Sequence, residues 1–175
     1  MYKIGFGYDA HKLSSGYKLF IGGVDIPHTK GSVGHSDGDV LVHAICDAIL
    51  GAACLRDIGF HFPDSDPTFK GIDSKILLQK VIEMIKEQGY EIGNLDTTVC
   101  LQSPKISPFI PEMQKTLASI IGIDENNISI KATTTENMGF VGRGEGISAY
   151  AVVMLNLQFE SPSEKSYCFT TKITK

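Results

Sequence analysis

Asp9 and His11 stand one residue apart at the end of a segment, Lys3 to Asp9, whose alternating character precedes a Gly- and Ser-containing break. That pattern predicts a strand, and side chains two apart on a strand point to the same face. A carboxylate and an imidazole then project side by side. His35-Ser36-Asp37-Gly38-Asp39 leads into an apolar helical pattern, where His43 lies one turn after Asp39 and one turn before Asp47. Asp9, His11 and His43 make a donor set that leaves one position of a tetrahedral zinc ion open, as a metal that acts on substrate requires. Asp39 or Asp47 is placed to accept the other ring N–H of His43. A second reading stands beside this one, because D-x-H is short and frequent: Asp9 caps a turn, His11 is exposed, and His43 is a hydrogen-bonded histidine on a half-buried helix face. His28 and His61 have no carboxylate or second histidine at ligand spacing and read as ordinary histidines.

Three further stretches carry chemistry-bearing side chains. Asp57-Ile58-Gly59 and Phe62-Pro63-Asp64-Ser65-Asp66-Pro67 form a loop of turn formers and acids, either a solvated loop or a lid over a hydroxylated or metal-bound ligand. Lys131-Ala132-Thr133-Thr134-Thr135-Glu136 brings three hydroxyls and a carboxylate to the end of a β segment, suited to phosphate oxygens and a hard divalent cation, although Thr runs are also ordinary strand residues. The sequel, Gly139-Phe140-Val141-Gly142-Arg143-Gly144-Glu145-Gly146, lets backbone approach a ligand or a symmetry mate closely. It lacks G-K-[ST], and it runs into a strand where a dinucleotide fingerprint needs a helix.

The elements that position these groups follow from periodicity. A hairpin is expected at Lys18 to Phe20 and Val24 to Ile26 around Gly22-Gly23. Helices are expected from Ser36 to about Leu55, Asp73 to Gln88 and Pro111 to Ile121, the last two ended by Gly89 and Gly122. Asp96 to Gln102, Asn127 to Thr134 and Gly146 to Gln158 read as strands, the last long enough to be central. The order predicts one α+β domain over residues 1–158, with a mixed sheet and helices on one face. Residues 159–175 read as a loosely held polar tail, with Tyr167 to Ile173 as an alternative short strand.

The 175 residues, 42% of them apolar and 21% charged, suit a single globular domain. The net charge of -4 and the absence of a basic run argue against nucleic acid as a partner, and no apolar run reaches the roughly 18 to 20 residues of a membrane span. The four cysteines, at positions 46, 54, 100 and 168, show no C-x-x-C spacing and read as reduced. The N-terminus enters a strand pattern at once, leaving no room for a signal peptide. A cytoplasmic protein is expected, with a plastid-type organelle protein lacking its transit peptide as the alternative.

Taken together, the D-x-H strand end, H-S-D-G-D-V-x-x-H, D-I-G followed by F-P-D-[ST]-D, and A-T-T-T-E-x-x-G-F-x-G-R-G-E-G occur in the order and approximate spacing of the cyclodiphosphate synthase family. The chain resembles that family from Lys3 to about Leu157. The resemblance implies a homotrimer around a threefold axis, with active sites shared between neighbours. The substrate it implies is 4-diphosphocytidyl-2-C-methyl-D-erythritol 2-phosphate, whose 2-phosphate attacks the β-phosphate and releases CMP. It further implies that Asp9, His11 and His43 hold zinc, that Glu136 holds magnesium or manganese, and that His35 and Thr134 stabilise the transition state. By the same resemblance Ser36, Asp57, Gly59 and Asp64 hold the methylerythritol and its phosphate, with Ile58, Phe62, Pro63, Ser65 and Asp66 in the same two stretches. Leu101-Gln102-Ser103-Pro104-Lys105-Ile106-Ser107, with Thr133 and Thr135, matches the cytidine diphosphate pocket. Phe140 and Arg143 match the mouth of an axial apolar cavity that would take an isoprenoid diphosphate. Asn137-Met138 departs from a common Lys-Leu, and the tail extends past the family's usual end. A zinc phosphoesterase and an isoprenoid-diphosphate sensor with structural zinc are the rival readings.

Overall fold

Glycines at alternate positions shape the first strand. β1 (Tyr2–Ser15) carries Gly5 and Gly7 on the face that meets α1 (Val40–Ala53). A Cβ at Gly5 would sit 1.8 Å from the Ala48 carbonyl oxygen, and one at Gly7 2.0 Å from that of Ala44. Strand and helix backbones therefore touch, and Asp9 and His11, next on the same face, are carried toward α1. The structure, a computed structural model, describes residues 1–63 and 65–157. Asp64, Gln158 and the tail, with its alternative strand at Tyr167 to Ile173 and Cys168, lie outside the described residues.

The remaining elements are β2 (Leu19–Ile21), β3 (Val24–Ile26), β4 (Lys30–Val33), α2 (Ile58–His61), α3 (Ser74–Glu87), β5 (Tyr90–Cys100), α4 (Ile110–Ile121), β6 (Ile128–Thr133), α5 (Gly139–Gly142) and β7 (Gly146–Leu157). One five-stranded sheet runs β4-β1-β7-β5-β6, and β2 pairs with β3 alone. All pairings are antiparallel except that of β5 with β6, so the sheet is mixed and the long last strand is central, as the sequence predicts. α1 packs over β1 and β7, α3 meets β5 and α4 meets β6. The alternating Ile147, Ala149, Ala151, Val153 and Leu155 of β7 are buried with Leu41, Ile45 and Ile49 of α1. The small alanines admit the helix closely. The opposite face of the sheet leaves Ile4, Phe6, Tyr8, Tyr150 and Val152 exposed.

Several boundaries differ from the sequence expectation. β1 continues six residues beyond Asp9, because Lys12 to Ser15 find an unanticipated partner in β4. α1 begins only at Val40, because the Asp39 side chain accepts from the N–H groups of Leu41 and Val42 and so caps the helix. That carboxylate also accepts from Gly22 N (2.9 Å) and Gly23 N (2.6 Å), pinning the hairpin turn to the helix start. Both turn glycines have positive φ, as a tight two-residue hairpin requires. β5 starts at Tyr90, six residues earlier than expected, with a bulge between Ile92 and Asn94 that interrupts the alternation. The acidic loop contains the one-turn α2, capped by Asp57 through the N–H of Phe60.

Candidate active site and metal centre

β1 and α1 bring Asp9, His11 and His43 to one point. Asp9 Oδ2 lies 3.0 Å from His11 Nε2 and 3.0 Å from His43 Nδ1, and the two ring nitrogens are 3.0 Å apart. Donors around a tetrahedral zinc ion are roughly 3.3 Å apart at ordinary ligand distances, so this triangle has the size of a metal's ligand set. It is the sole group of three such donors found among the described residues. Burial works against the Asp9 carboxylate, yet the hydrogen bonds and charge of the two imidazoles outweigh it and hold its pKa well below the usual range. Burial likewise opposes a charged His43, but Asp9 prevails and raises its pKa above 6.5. The donor set is one that a divalent cation fits: two ring nitrogens and one carboxylate oxygen converge where lone pairs would otherwise repel.

The ring of His43 is held from its far side. Its Nε2 lies 2.8 Å from Ser74 Oγ and 3.0 Å from Ser36 Oγ. Asp39 and Asp47, the expected partners of this ring, are engaged elsewhere. Asp39 caps α1, and Asp47 accepts the N–H of Ile58 (2.8 Å), fastening the D-I-G segment to the helix while burial raises its pKa. Ser74 was not recognisable beforehand: it opens α3, where a serine after Asp73 reads as part of a helix start.

The triad opens on a cavity of about 390 Å³. His35, Ser36, Ile58, Gly59, Phe62 and Pro63, candidates named above, line it together with Asp47, named above only as a partner for His43, and with Phe69, Ile72 and Leu77, which sequence reasoning missed. Phe69 and Leu77 would have been visible only as apolar positions near a helix start. Asp57, Ser65 and Asp66 are not among the lining residues: Asp57 caps α2 and Asp66 accepts from Thr68 N (2.9 Å). His61 donates to or accepts nothing in the triad; its Nε2 lies 2.7 Å from the Leu55 carbonyl, an ordinary histidine as read.

A second cavity, about 330 Å³, is lined by Leu101, Gln102, Pro104, Lys105, Ile106, Ser107, Thr133 and Thr134. The expected cytidine diphosphate stretch and the Thr run thus do meet, apart from Ser103 and Thr135. The Thr135 hydroxyl donates to the Met138 carbonyl at 2.6 Å. The Thr134 hydroxyl donates to Glu136 Oε1 at 2.7 Å, and Glu136 is exposed. Glu136 and Asn137 both have positive φ (51° and 62°), a conformation that Asn adopts more readily than Lys. The two cavities stay apart in one chain. Asp9 pairs with Ala149, Ala149 with Val99 and Val99 with Ala132. Three strand spacings, roughly 14 Å, therefore separate the first-strand site from the Thr segment. Arg143 is engaged by Glu145 through two 2.9 Å bonds, and Phe140 is exposed.

Fold and site define a class: an α+β enzyme with a three-donor, metal-capable centre open to a cavity. The chain belongs to the YgbB family, whose pattern matches residues 2–156. Over 154 residues, 88% of this chain and 95% of the relative, it is 62% identical to the 2-C-methyl-D-erythritol 2,4-cyclodiphosphate synthase of Porphyromonas gingivalis. Among solved structures it resembles the bifunctional IspDF of Campylobacter jejuni, with TM-score 0.86 and 44% identity over 89% of this chain and 42% of that one. It also resembles the CDP complex of Plasmodium falciparum IspF, with TM-score 0.80 and 36% identity over 90% of this chain and 97% of that one. No helix among the described residues is long and apolar enough to cross a membrane.

Proposed function

We propose that this chain is a cytoplasmic lyase of the non-mevalonate route to isoprenoid precursors. It closes 4-diphosphocytidyl-2-C-methyl-D-erythritol 2-phosphate to 2-C-methyl-D-erythritol 2,4-cyclodiphosphate. The observation that carries the reading is the Asp9, His11, His43 triangle, its donors 3.0 Å apart, beside the cavity lined by His35, Ser36, Ile58 and Gly59. An oxygen of the substrate's 2-phosphate bonds to the β-phosphorus while the bond from that phosphorus to the CMP oxygen breaks, and CMP leaves with the electron pair. The nucleophile belongs to the substrate, so positioning and charge neutralisation do the work. Zinc on the triad, and magnesium or manganese on Glu136 and the substrate phosphates, would supply Lewis-acid polarisation and charge neutralisation.

The protein's own groups do the rest in this reading. His35 and Thr134 hold the reacting phosphates in the transition state. Ser36 and the Asp57 to Gly59 segment orient the methylerythritol, with Asp64, which lies outside the described residues, and the Ser65-Asp66 turn beside them. Lys105 and Thr133 to Thr135 take the cytidine diphosphate. Because the two cavities lie strands apart in one chain, the reading includes a homotrimer in which the Thr segment of one copy faces the triad of the next. Head-to-tail contacts of this kind close into a ring of three when each copy is rotated by a third of a turn from the last. An isoprenoid diphosphate at Phe140 and Arg143 would share that guanidinium with the Glu145 carboxylate, which takes Nε and Nη2, or displace it. Residues 159–175 carry no role in this reading.

Metal content and CMP release, measured on wild type and His11→Ala, test the assignment. Wild type is expected to carry zinc and to release CMP with a magnesium requirement, and the variant to do neither. Zinc binding without turnover of this substrate sinks the synthase reading, and inorganic phosphate released from a simple phosphoester with no cyclic product would favour a phosphoesterase. For the axial ligand, geranyl diphosphate should raise the melting temperature of wild type more than that of Arg143→Ala; equal shifts refute it.

A further inference from the structure

The hydrogen bonds behind His43 run in one direction. Ser74, fully buried at the first position of α3, gives its hydroxyl hydrogen to Asp37 Oδ1, and its backbone N–H donates to Asp37 Oδ2 at 2.9 Å. Asp37 is itself fixed, since it accepts from Asp39 N at 3.1 Å and its own N–H donates to the Ile72 carbonyl at 3.1 Å. With its hydrogen committed to a carboxylate, Ser74 Oγ has only lone pairs to offer His43 Nε2, 2.8 Å away. Nε2 must then carry the ring proton. Nδ1 is left with its lone pair, and that is the atom facing Asp9 Oδ2 and His11 Nε2 at 3.0 Å. Ser36 Oγ is also 3.0 Å from Nε2, but it accepts from Gly38 N (3.3 Å), and its hydrogen is committed to no carboxylate among the described residues.

We infer that Ser74 is a positioning residue of the metal centre: through Asp37, Ser74 and His43 Nε2, the start of α3 selects the Nδ1-donor form of His43 and holds its ring toward Asp9 and His11. The inference rests on the metal reading proposed above. Partners behind a ligating histidine typically contribute tenfold to a hundredfold in metal affinity, by fixing ring orientation and tautomer. Ser74 does this from the first position of a helix whose other buried residues, Leu77, Leu78, Val81, Ile82 and Ile85, are apolar. Asp37, two residues before the α1 cap, ties the loop after β4 to the same relay.

Cobalt(II) titration of the metal-stripped full chain, followed by its visible absorption and by competition with a chelator, tests the relay. Wild type, Ser74→Ala, Asp37→Asn and the double variant are compared, and the melting temperature of each metal-free protein is recorded. Ser74→Ala is expected to weaken cobalt binding by about tenfold to a hundredfold. Asp37→Asn should weaken it too, and the double variant should bind no worse than Ser74→Ala, because the two residues act in series. Wild-type affinity in both single variants overturns the inference. So do losses that add in the double variant, or losses matched by a lowered melting temperature of the metal-free protein. If Ser74→Ala does not fold, Asp37→Asn alone decides by the same criteria. Wild type that takes up no cobalt refutes the metal reading itself, a different outcome from an intact site indifferent to Ser74.

Discussion

At the scale of residues, protons would compete with the proposed metal for the same three atoms. The Asp9 carboxylate raises the His43 pKa above 6.5, so in the metal-free protein that ring gains its proton on the neutral side of 6.5 as pH falls. A protonated Nδ1 cannot ligate. Metal affinity is therefore expected to fall as pH is lowered through the His43 value and to level off above it, which titrations between about pH 8 and about pH 5.5 would reveal. A profile flat across this range would remove His43 from the ligand set. Asp9 does not share this sensitivity, because its pKa is held far below the window. In the proposed metal centre, replacing His11 by Ala would remove a ligand outright, so the loss of CMP release should be at least about a hundredfold, beyond what outer partners cost.

At the scale of elements, the close contact of β1 with α1 sets the distance between the Asp9-His11 pair and His43. A Cβ at Gly7 would collide with the Ala44 carbonyl, one residue from His43, so Gly7→Ala must push the helix off the strand. The expected cost is about 3 kcal/mol in urea unfolding, with a parallel loss of metal affinity. Stability lost with metal binding intact would show that the site does not depend on this contact. Asp39 fixes the same helix at its other constraint. Asp39→Ala removes an N-cap and leaves the buried Gly22 N–H without its acceptor, a combined cost of roughly 2 to 4 kcal/mol by chemical denaturation.

At the scale of the molecule, the uncovered face of the sheet sets the expectation. Ile4 is 75% exposed and Phe6 63%, while Tyr8 and Tyr150 stack with ring centroids 5.0 Å apart beside them. A contiguous apolar patch of this sort marks an interface. The ring of copies proposed above would cover it and would also join the two separated cavities. Sedimentation is expected to give three times 19.0 kDa. Phe6→Asp with Val152→Asp should give a folded single chain that binds zinc at the triad and releases no CMP. Activity retained by that single chain would refute a shared site.

The sequence alone determined those features that depend on local spacing. Asp9 and His11 share a strand face because side chains alternate, and His43 falls on an amphipathic helix whose period was plain. Asp73 and Gly122 marked helix ends through capping chemistry, and β7 was legible as central from its unbroken length of apolar and small residues. What lay hidden were relations between distant segments. β4 has only four residues and no pattern of its own, so its pairing with Lys12 to Ser15 follows from where the chain returns. Asp39 has the spacing of a partner for His43, yet its carboxylate accepts from four backbone N–H groups of the hairpin turn and the helix start. Ser74 stands 31 residues from His43, and no spacing rule reaches across that separation. The division has one physical cause. Periodicity and capping are fixed by backbone geometry within a few residues, whereas a hydrogen bond between distant side chains exists only once packing has brought their elements together.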